Sequence, residues 1–410
     1  MCIPWWGVVL TAVTTAACGD NLPGVGPLLA SADTLFVVAH LDDDLIFMQP
    51  ELATALATGS VTTVYVSSGD PVHGFAHAEH TFEATMTAYG YATGSSDWDC
   101  GYLRVTGVPV HHCRLRDHPV SMIGLDVPEG GRYGQRPDSL LHLVDQTVPS
   151  LPILGELGGR VTVASLTAEL AEIIAVTAPH ELHTLDLAAS HGDDHAGHLI
   201  AASFALWAAA SAGYRGTIVS HRGYNVANEP ANLSDADYAF AKPMLGYFEA
   251  CYRGCAPCGT ECATLEPSHD TWLRRQYAAT AAPISATGKL ESEDAPGSCL
   301  TPTGEASLEL ADCATAAAFR LGADRHLRVA GRCASSASDN DAAIDLVLCA
   351  DDPAQYWLSD DEGFVANGRP PNGIADMYFD HVRCLDATHP ERAGAPVCGS
   401  HLRPRWHLLP

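Results

Sequence analysis

Lysine is almost missing from this chain. Only Lys242 and Lys289 occur among its 410 residues, and no lysine or arginine precedes Arg104. The 22 basic residues face 49 acidic ones, for a formal net charge of -27. That balance excludes nucleic acid and an anionic bilayer surface as partners, because both attract basic patches. A neutral partner such as a sugar fits better. The lysine scarcity itself reads as genomic base composition, not function. Long apolar runs are scarce too. The run from Ile3 to Ala17 is too short to span a bilayer, and no later segment reads as transmembrane. Charged residues make up 17% and hydrophobic residues 47%, which is globular and not disordered composition.

Cysteine is plentiful, with fourteen copies, several in spaced pairs. This points to an oxidising compartment, hence an exported protein. Residues 1–18 read as an export signal. The small residues Thr15-Ala16-Ala17 ahead of Cys18 resemble a bacterial lipoprotein signal, although the positive n-region is missing. Cys18 would then carry a lipid anchor, the one membrane contact expected for a cell-envelope or secreted protein. Residues 19–32 read as a tether.

The length implies two domains. Residues 33–280 read as α/β. An apolar strand, Thr34-Leu35-Phe36-Val37-Val38, feeds a helix near 44–58. A second strand, Val61 to Val66, ends in Ser67-Ser68-Gly69-Asp70, and a helix follows near 76–89. Residues 92–160 read as loop-rich. A helix over Thr167 to Val176, a strand near His183 to Leu187, an Ala-rich helix over His195 to Ala210 and a short strand over Thr217 to Ser220 complete the pattern. Strand, helix and strand at this spacing give a Rossmann-like, mainly parallel sheet flanked by helices. Residues 281–298 read as a linker and residues 299–410 as a second, all-β domain.

The chemistry sits where the first strand ends, at Ala39-His40-Leu41-Asp42-Asp43-Asp44. In open α/β sheets the C-terminal strand edge is where ligands bind. A helix start alone would favour one aspartate by about 0.3–1 kcal/mol, but it does not ask for three or for a histidine before them. A second segment, His191-Gly192-Asp193-Asp194-His195-Ala196-Gly197-His198, offers further ligands. Asp42 and Asp43 point about 100° apart on a helix. One can bind metal while the other faces a bound water. His195 and His198 are three apart and share a helix face. A catalytic zinc takes three such N/O ligands and keeps a position open. The set suits hydrolysis of an amide or ester.

These motifs resemble the PIG-L/LmbE-like zinc-dependent N-acetylglucosamine deacetylases. That family carries Ala-His-Pro-Asp-Asp-Glu after its first strand and His-Pro-Asp-His later, against Ala39 to Asp44 and His195 to His198 here. The resemblance implies zinc (or another divalent ion) on His40, Asp43 and His198, with Asp42 as general base. His195 would stabilise the oxyanion or protonate the leaving amine. Ser68 and Asp70 lie in a stretch similar to the family's second strand-end motif, and Glu79 sits where a helix acid follows it. All three become candidates for substrate binding. The implied substrate is an acetylated amino sugar or glycan. Leu41 replaces proline, Asp44 replaces glutamate, and Gly197 replaces the aspartate that would orient the catalytic histidine. Asp193 or Asp194 is expected to take over that task. His191 competes as a ligand. The alternatives are a zinc amidase or esterase on a non-sugar substrate, and an inactive glycan-binding protein.

Cys251, Cys255, Cys258 and Cys262 are spaced for a structural zinc, an iron–sulfur centre or two local disulfides. Export favours disulfides, and the spacing leaves their connectivity open. Cys100 and Cys113 are expected to clip a loop, with Trp98, Asp99 and Tyr102 beside it. Beyond residue 298, Cys299/Cys313, Cys333/Cys349 and Cys384/Cys398 are each followed six to eight residues later by an aromatic: Phe319, Trp357 and Trp406. This is a threefold repeat whose members must share one core. It resembles a ricin B-type lectin β-trefoil, in which each repeat carries two cysteines and then Gln-x-Trp. Gln355-Tyr356-Trp357 matches outright. The resemblance implies Asp386, after Cys384-Leu385, as an acceptor for sugar hydroxyls.

Overall fold

The computed structural model describes residues 29–69, 74–187, 191–304, 306–336, 343–372, 382–387, 393–398 and 404–410. The export segment with Cys18, most of the tether and Asp70 lie outside these residues. In chain order the first unit runs β1 (Thr34–Val38), α1 (Asp43–Phe47), α2 (Glu51–Thr58), β2 (Val61–Ser67), α3 (Gly74–Thr93), β3 (Trp98–Val105), β4 (Val108–Leu115) and β5 (Val120–Val127). It continues with α4 (Leu140–Val144), β6 (Leu151–Pro152), β7 (Arg160–Val161), α5 (Val163–Thr177), β8 (Glu181–Leu185), α6 (Ala196–Ser211) and β9 (Thr217–His221). It closes with α7 (Asp235–Arg253), α8 (Pro267–Leu273) and β10 (Ala278–Ala281).

Every residue of β1 is buried, as expected of an apolar, β-branched strand covered on both faces. Its sheet has the order β10-β9-β8-β1-β2-β5-β4-β3. The pairings β9–β8, β8–β1, β1–β2 and β2–β5 are parallel. Those at the two edges are antiparallel. The sheet is therefore mixed, with a parallel centre.

Two local expectations are corrected. The segment 92–160 is not chiefly loop, since it supplies β3, β4 and β5. Only part of β3 and β4 is buried (Leu103, Val105, Val110, Cys113, Leu115), and the intervening Gly101, Arg104, Pro109 and His111 mask their alternation. The helix expected over 44–58 is two helices. Pro50 has no N–H to continue the ladder, so the chain breaks after Phe47 and restarts at Glu51.

Helix α6 is buried from Ala196 through Ala210. A helix apolar all round must be covered all round. Phe204 and Trp207 lie in the core, and that same core includes Tyr356, Leu358, Phe364 and Ala366 of the second unit.

The second unit comprises β11 (Ala286–Ser292), β12 (Ser298–Thr303), β13 (Ser307–Asp312), β14 (Phe319–Leu321), β15 (Leu327–Val329), β16 (Arg332–Ser336) and β17 (Ile344–Val347). After these come β18 (Trp357–Ser359), β19 (Val365–Asn367), β20 (Val382–Cys384), β21 (Val397–Cys398) and β22 (Trp406–Leu409). The linker expected over 281–298 is structured instead. Strand β11 pairs with β12, β14 and β22. Its Ala, Thr, Ser and Glu content hid it, and its burial alternates through Gly288, Leu290 and Ser292.

Each expected cysteine pair of the repeat is bonded: Cys299–Cys313, Cys333–Cys349 and Cys384–Cys398. Phe319, Trp357 and Trp406 meet in one core with Leu300, Leu308, Val365 and Leu385. The indole of Trp357 donates to the carbonyl of Ala334 and that of Trp406 to the carbonyl of Leu385, both at 2.9 Å. Each acceptor follows the first cysteine of a pair. The tryptophans are thus core pins, not sugar platforms. Gln355 ties its own loop, accepting from Ala350 N–H at 3.0 Å and donating to Leu348 at 3.2 Å.

The units are joined by polar contacts as well as by core. Tyr356 donates to the Tyr214 carbonyl at 2.9 Å, and Arg325 to those of Ala281 and Ala282 at 2.9 and 3.2 Å. The first unit carries Cys100–Cys113, Cys251–Cys258 and Cys255–Cys262, which excludes a four-cysteine metal centre. The six disulfides among the described residues indicate an exported protein. Among the described residues, no helix is long and apolar enough to cross a membrane.

Candidate metal centre

The parallel strands set the site. β1, β5 and β8 end on one edge of the sheet, and the chain leaving each end carries the polar groups that meet there. After β1 come His40, Asp42 and Asp43. After β5 comes Glu129. After β8 the chain runs through Asp186 to Asp194, His195 at the N-cap of α6, and His198 in its first turn. Nitrogens of His40, His195 and His198 lie within 4.8 Å of one another.

Hydrogen bonds fix the imidazoles. His198 Nδ1 lies 2.8 Å from Asp194 Oδ1, so the ring donates there and turns the lone pair of Nε2 inward. That lone pair is buried without a hydrogen-bond partner and faces Asp43 Oδ1 at 3.0 Å. A single positive centre there, a proton on the ring or a metal ion, satisfies both the Nε2 atom and the carboxylate. His40 repeats the pattern. Its Nδ1 lies 3.2 Å from Asp43 Oδ1, and its Nε2 is buried and unpartnered, 3.7 Å from Glu129 Oε2. Carboxylate-oriented imidazoles with free Nε2 atoms are the usual donors of a metal site. His40 and His198 are therefore arranged as metal donors, with Asp43 Oδ1 3.0 Å from His198 Nε2, and the imidazoles of His40, His195 and His198 are close enough together to hold one ion.

His195 is held differently. Its Nδ1 accepts from Gly197 N–H at 3.0 Å, so Nε2 carries the proton and donates to Glu129 Oε1 at 2.8 Å.

Electrostatics agree with a place that stabilises positive charge. Burial opposes charge on His40, but Asp43 and Glu129 outweigh it and raise that imidazole to about 8. Burial also opposes charge on His198, yet Asp43 and Asp194 hold it well above the usual range. Burial, and then His40, lower His195 to about 4. Burial acts to raise Glu129, but His40 and His195 pull it down to about 2. Burial and the neighbouring Asp43 raise Asp42.

A cleft of about 170 Å³ opens on this cluster, lined among others by Asp42, Ser68, Glu129, His195, Tyr224 and Tyr252. Of the residues expected here, His40, Asp42, Asp43, His195, His198 and Ser68 come together. Glu79 does not. It lies exposed on α3, which turns His77 and Thr81 to the cleft instead. Residues two apart on a helix point about 200° apart. Asp44 accepts from Tyr65 at 3.0 Å and from Tyr89 at 2.5 Å, inside the core. Asp386 is buried in the second unit, its backbone paired with Gly394.

His191 is corrected as a ligand, since it faces Asp186 and Glu362. Trp98 lines a separate, more apolar cavity of about 630 Å³ with Tyr91 and Tyr247. That cavity is larger but lacks convergent ligating groups. Asp99 pairs with Arg114 and Arg116.

Asp194 answers the departure at Gly197, but on a different ring: it orients His198, and it also accepts from the N–H groups of His195 and Tyr224 at 2.8 and 2.9 Å. A Cβ at residue 197 would stand 3.0 Å from His195 Nδ1 and 3.2 Å from His40 Nε2, so glycine keeps the cluster open. A Cβ at Gly223 would collide with both Asp194 carboxylate oxygens, so glycine there admits the carboxylate. Glu129, Tyr224, Tyr252, His77 and Thr81 were not anticipated. The one available signal was the apolar run Met122-Ile123-Gly124-Leu125 ahead of Glu129.

No protein-family model matches this chain, and no curated protein matches it. Among solved structures it is similar to the β-trefoil lectin of the Vibrio vulnificus hemolysin/cytolysin, described with N-acetyl-D-lactosamine bound, at 15% identity over 31% of this chain and 95% of that one, with a TM-score of 0.26. It is similar to the agglutinin from Abrus precatorius at 17% identity over 32% of this chain and 50% of that one, TM-score 0.24. It is also similar to a conserved protein from Thermus thermophilus at 17% identity, over 62% of this chain and 95% of that one, TM-score 0.33.

Proposed function

We propose that the first unit is a zinc-dependent hydrolase that removes the N-acetyl group from a GlcNAc-type sugar or glycoconjugate. In this reading the second unit is a glycan-binding β-trefoil. The observation that carries the reading is the pair of buried, unpartnered Nε2 atoms of His40 and His198 beside the Asp43 carboxylate. Those three side chains would hold the ion, which when bound supplies a water of lowered pKa and polarisation of a carbonyl.

The protein's own groups fit the remaining tasks. Asp42 is next in sequence to Asp43 and opens on the cleft, where it takes a proton from the attacking water. His195 presents an Nε2–H whose position Glu129 fixes, so it can donate to the developing oxyanion or to the leaving amine. The cleft volume of about 170 Å³ falls below the roughly 300–1,000 Å³ of pockets that enclose whole ligands. It suits a small acyl group, with the rest of the substrate outside.

The test is elemental analysis of the purified protein together with acetate release from chitooligosaccharides. About one zinc per chain, lost in His198→Ala, with acetate released by the unaltered protein, is the expected result. Absence of both zinc and acetate release would overturn the reading. Release from simple amides but not from sugars would reassign the substrate.

A further inference from the structure

We infer that Glu362 of the second unit is a positioning residue for the hydrolytic site, acting through His191 on the segment that carries Asp194 and His195. The inference rests in part on the proposed hydrolase. Its structural half stands separately.

The chain leaves β8 at Asp186 and reaches α6 at His195. Midway, His191 is clamped from both sides. Its Nδ1 lies 2.9 Å from Asp186 Oδ2, at the end of its own strand. Its Nε2 lies 3.2 Å from Glu362 Oε2, in the turn between β18 and β19 of the other unit. The same Glu362 oxygen accepts from Arg405 at 3.0 Å, and the Glu362 carbonyl accepts from Arg405 at 2.7 Å. The turn itself is tied down. Asp360 Oδ1 accepts from the N–H groups of Glu362 and Phe364 at 3.0 and 2.8 Å, and Asp361 exchanges hydrogen bonds with Thr280 of β10 at 2.7 and 2.9 Å. Phe364 is buried in the core that the two units share. Glu362 is therefore a fixed post, not a surface side chain meeting a loop by chance.

Three residues beyond His191, Asp194 sets the ring of His198 and the backbone of His195. A post on His191 thus restrains the approach of both. Among the described residues, the charged groups that act on His191 are Asp186, Glu362 and, at longer range, Arg222. Burial opposes its charge, but Asp186 and Glu362 raise it to about 9. Glu362 is lowered to about 2, first by His191. The pair of His191 imidazolium and Glu362 carboxylate persists between those limits, and is lost as pH rises through the upper one.

The test compares Glu362→Gln and Glu362→Ala with Asp351→Asn. The last breaks the Arg215–Asp351 pair, another contact between units, away from His191. Amide hydrogen exchange over residues 191–198 of the full chain is the first readout. Roughly tenfold faster exchange in Glu362→Ala, a smaller increase in Glu362→Gln and none in Asp351→Asn is expected for a coupling of ordinary size. The thermal midpoint of Glu362→Gln should stay near that of the unaltered protein. The second readout is acetate release, where kcat should fall about as much while KM stays within twofold. Unchanged exchange over 191–198 in Glu362→Ala would overturn the inference, as would an equal change in Asp351→Asn. Faster exchange in a protein that releases no acetate from any substrate would uphold the positioning and reject the hydrolase instead.

Discussion

The two units solve opposite problems with the same chain chemistry. The first brings together residues far apart in sequence by setting parallel strand ends side by side, and leaves buried nitrogens unpartnered at the junction. Both units close short loops with disulfides, but the second satisfies the buried indoles of Trp357 and Trp406 one by one. One unit holds unmet bonding capacity where a ligand would bind, and the other pins its core tryptophans to backbone carbonyls. Chemistry is therefore to be sought in the first and rigidity in the second.

That division can be broken most sharply at Asp42. Asp42→Asn should lower acetate release roughly 10²–10⁴-fold while zinc content, read by elemental analysis, stays the same. Equal loss of metal and rate would make Asp42 a ligand. Next in size, replacing Cys333 and Cys349 together by serine should cost about 2–5 kcal/mol in denaturant unfolding and leave zinc bound. Metal lost at that distance would show the units are not separable in role.

Smaller still, Trp357→Phe and Trp406→Phe should each cost about 1–2 kcal/mol, because each strands a buried carbonyl. Phe319, which already lacks the N–H, marks the repeat that tolerates this.

A pH-dependent effect lies in the first unit, away from the site. Glu169 is buried in α5, and burial, with Glu172 next, raises its carboxyl to about 8. The folded chain keeps a proton there that the unfolded chain releases near the ordinary glutamate value. Stability should therefore fall as pH rises from about 4.5 to about 8 and level off above. Glu169→Gln should flatten that slope, so that the variant loses clearly less stability than the unaltered protein between pH 5 and pH 9 in urea titrations.

What could be read in the sequence follows the same division. His40, Asp42 and Asp43 were legible because a fully apolar strand ends abruptly in charge, a contrast that survives without any structure. His195 and His198 were legible by their spacing on one helix face. Glu129 was not, because the strand before it adjoins a hairpin only partly buried, with charge and histidine on its open side, so the segment reads as loop. Glu79 misled because sequence distance from a motif says nothing about which helix face meets the cleft. In the second unit, cysteine spacing and the trailing aromatics gave the repeat and its pairings. Strand β11, with one leucine among small and charged residues, was invisible, since its order comes from three partners and not from its own composition.

Strand β10 carries a last implication. Its outer edge, at Thr280, is met by Asp361 of the second unit, and Arg325 occupies the carbonyls where it ends. A first half expressed alone would lay bare a row of backbone donors and acceptors ready to zip onto a neighbouring copy. Moving the first half onto another protein would bring the same stickiness, so the pair is best engineered as one piece.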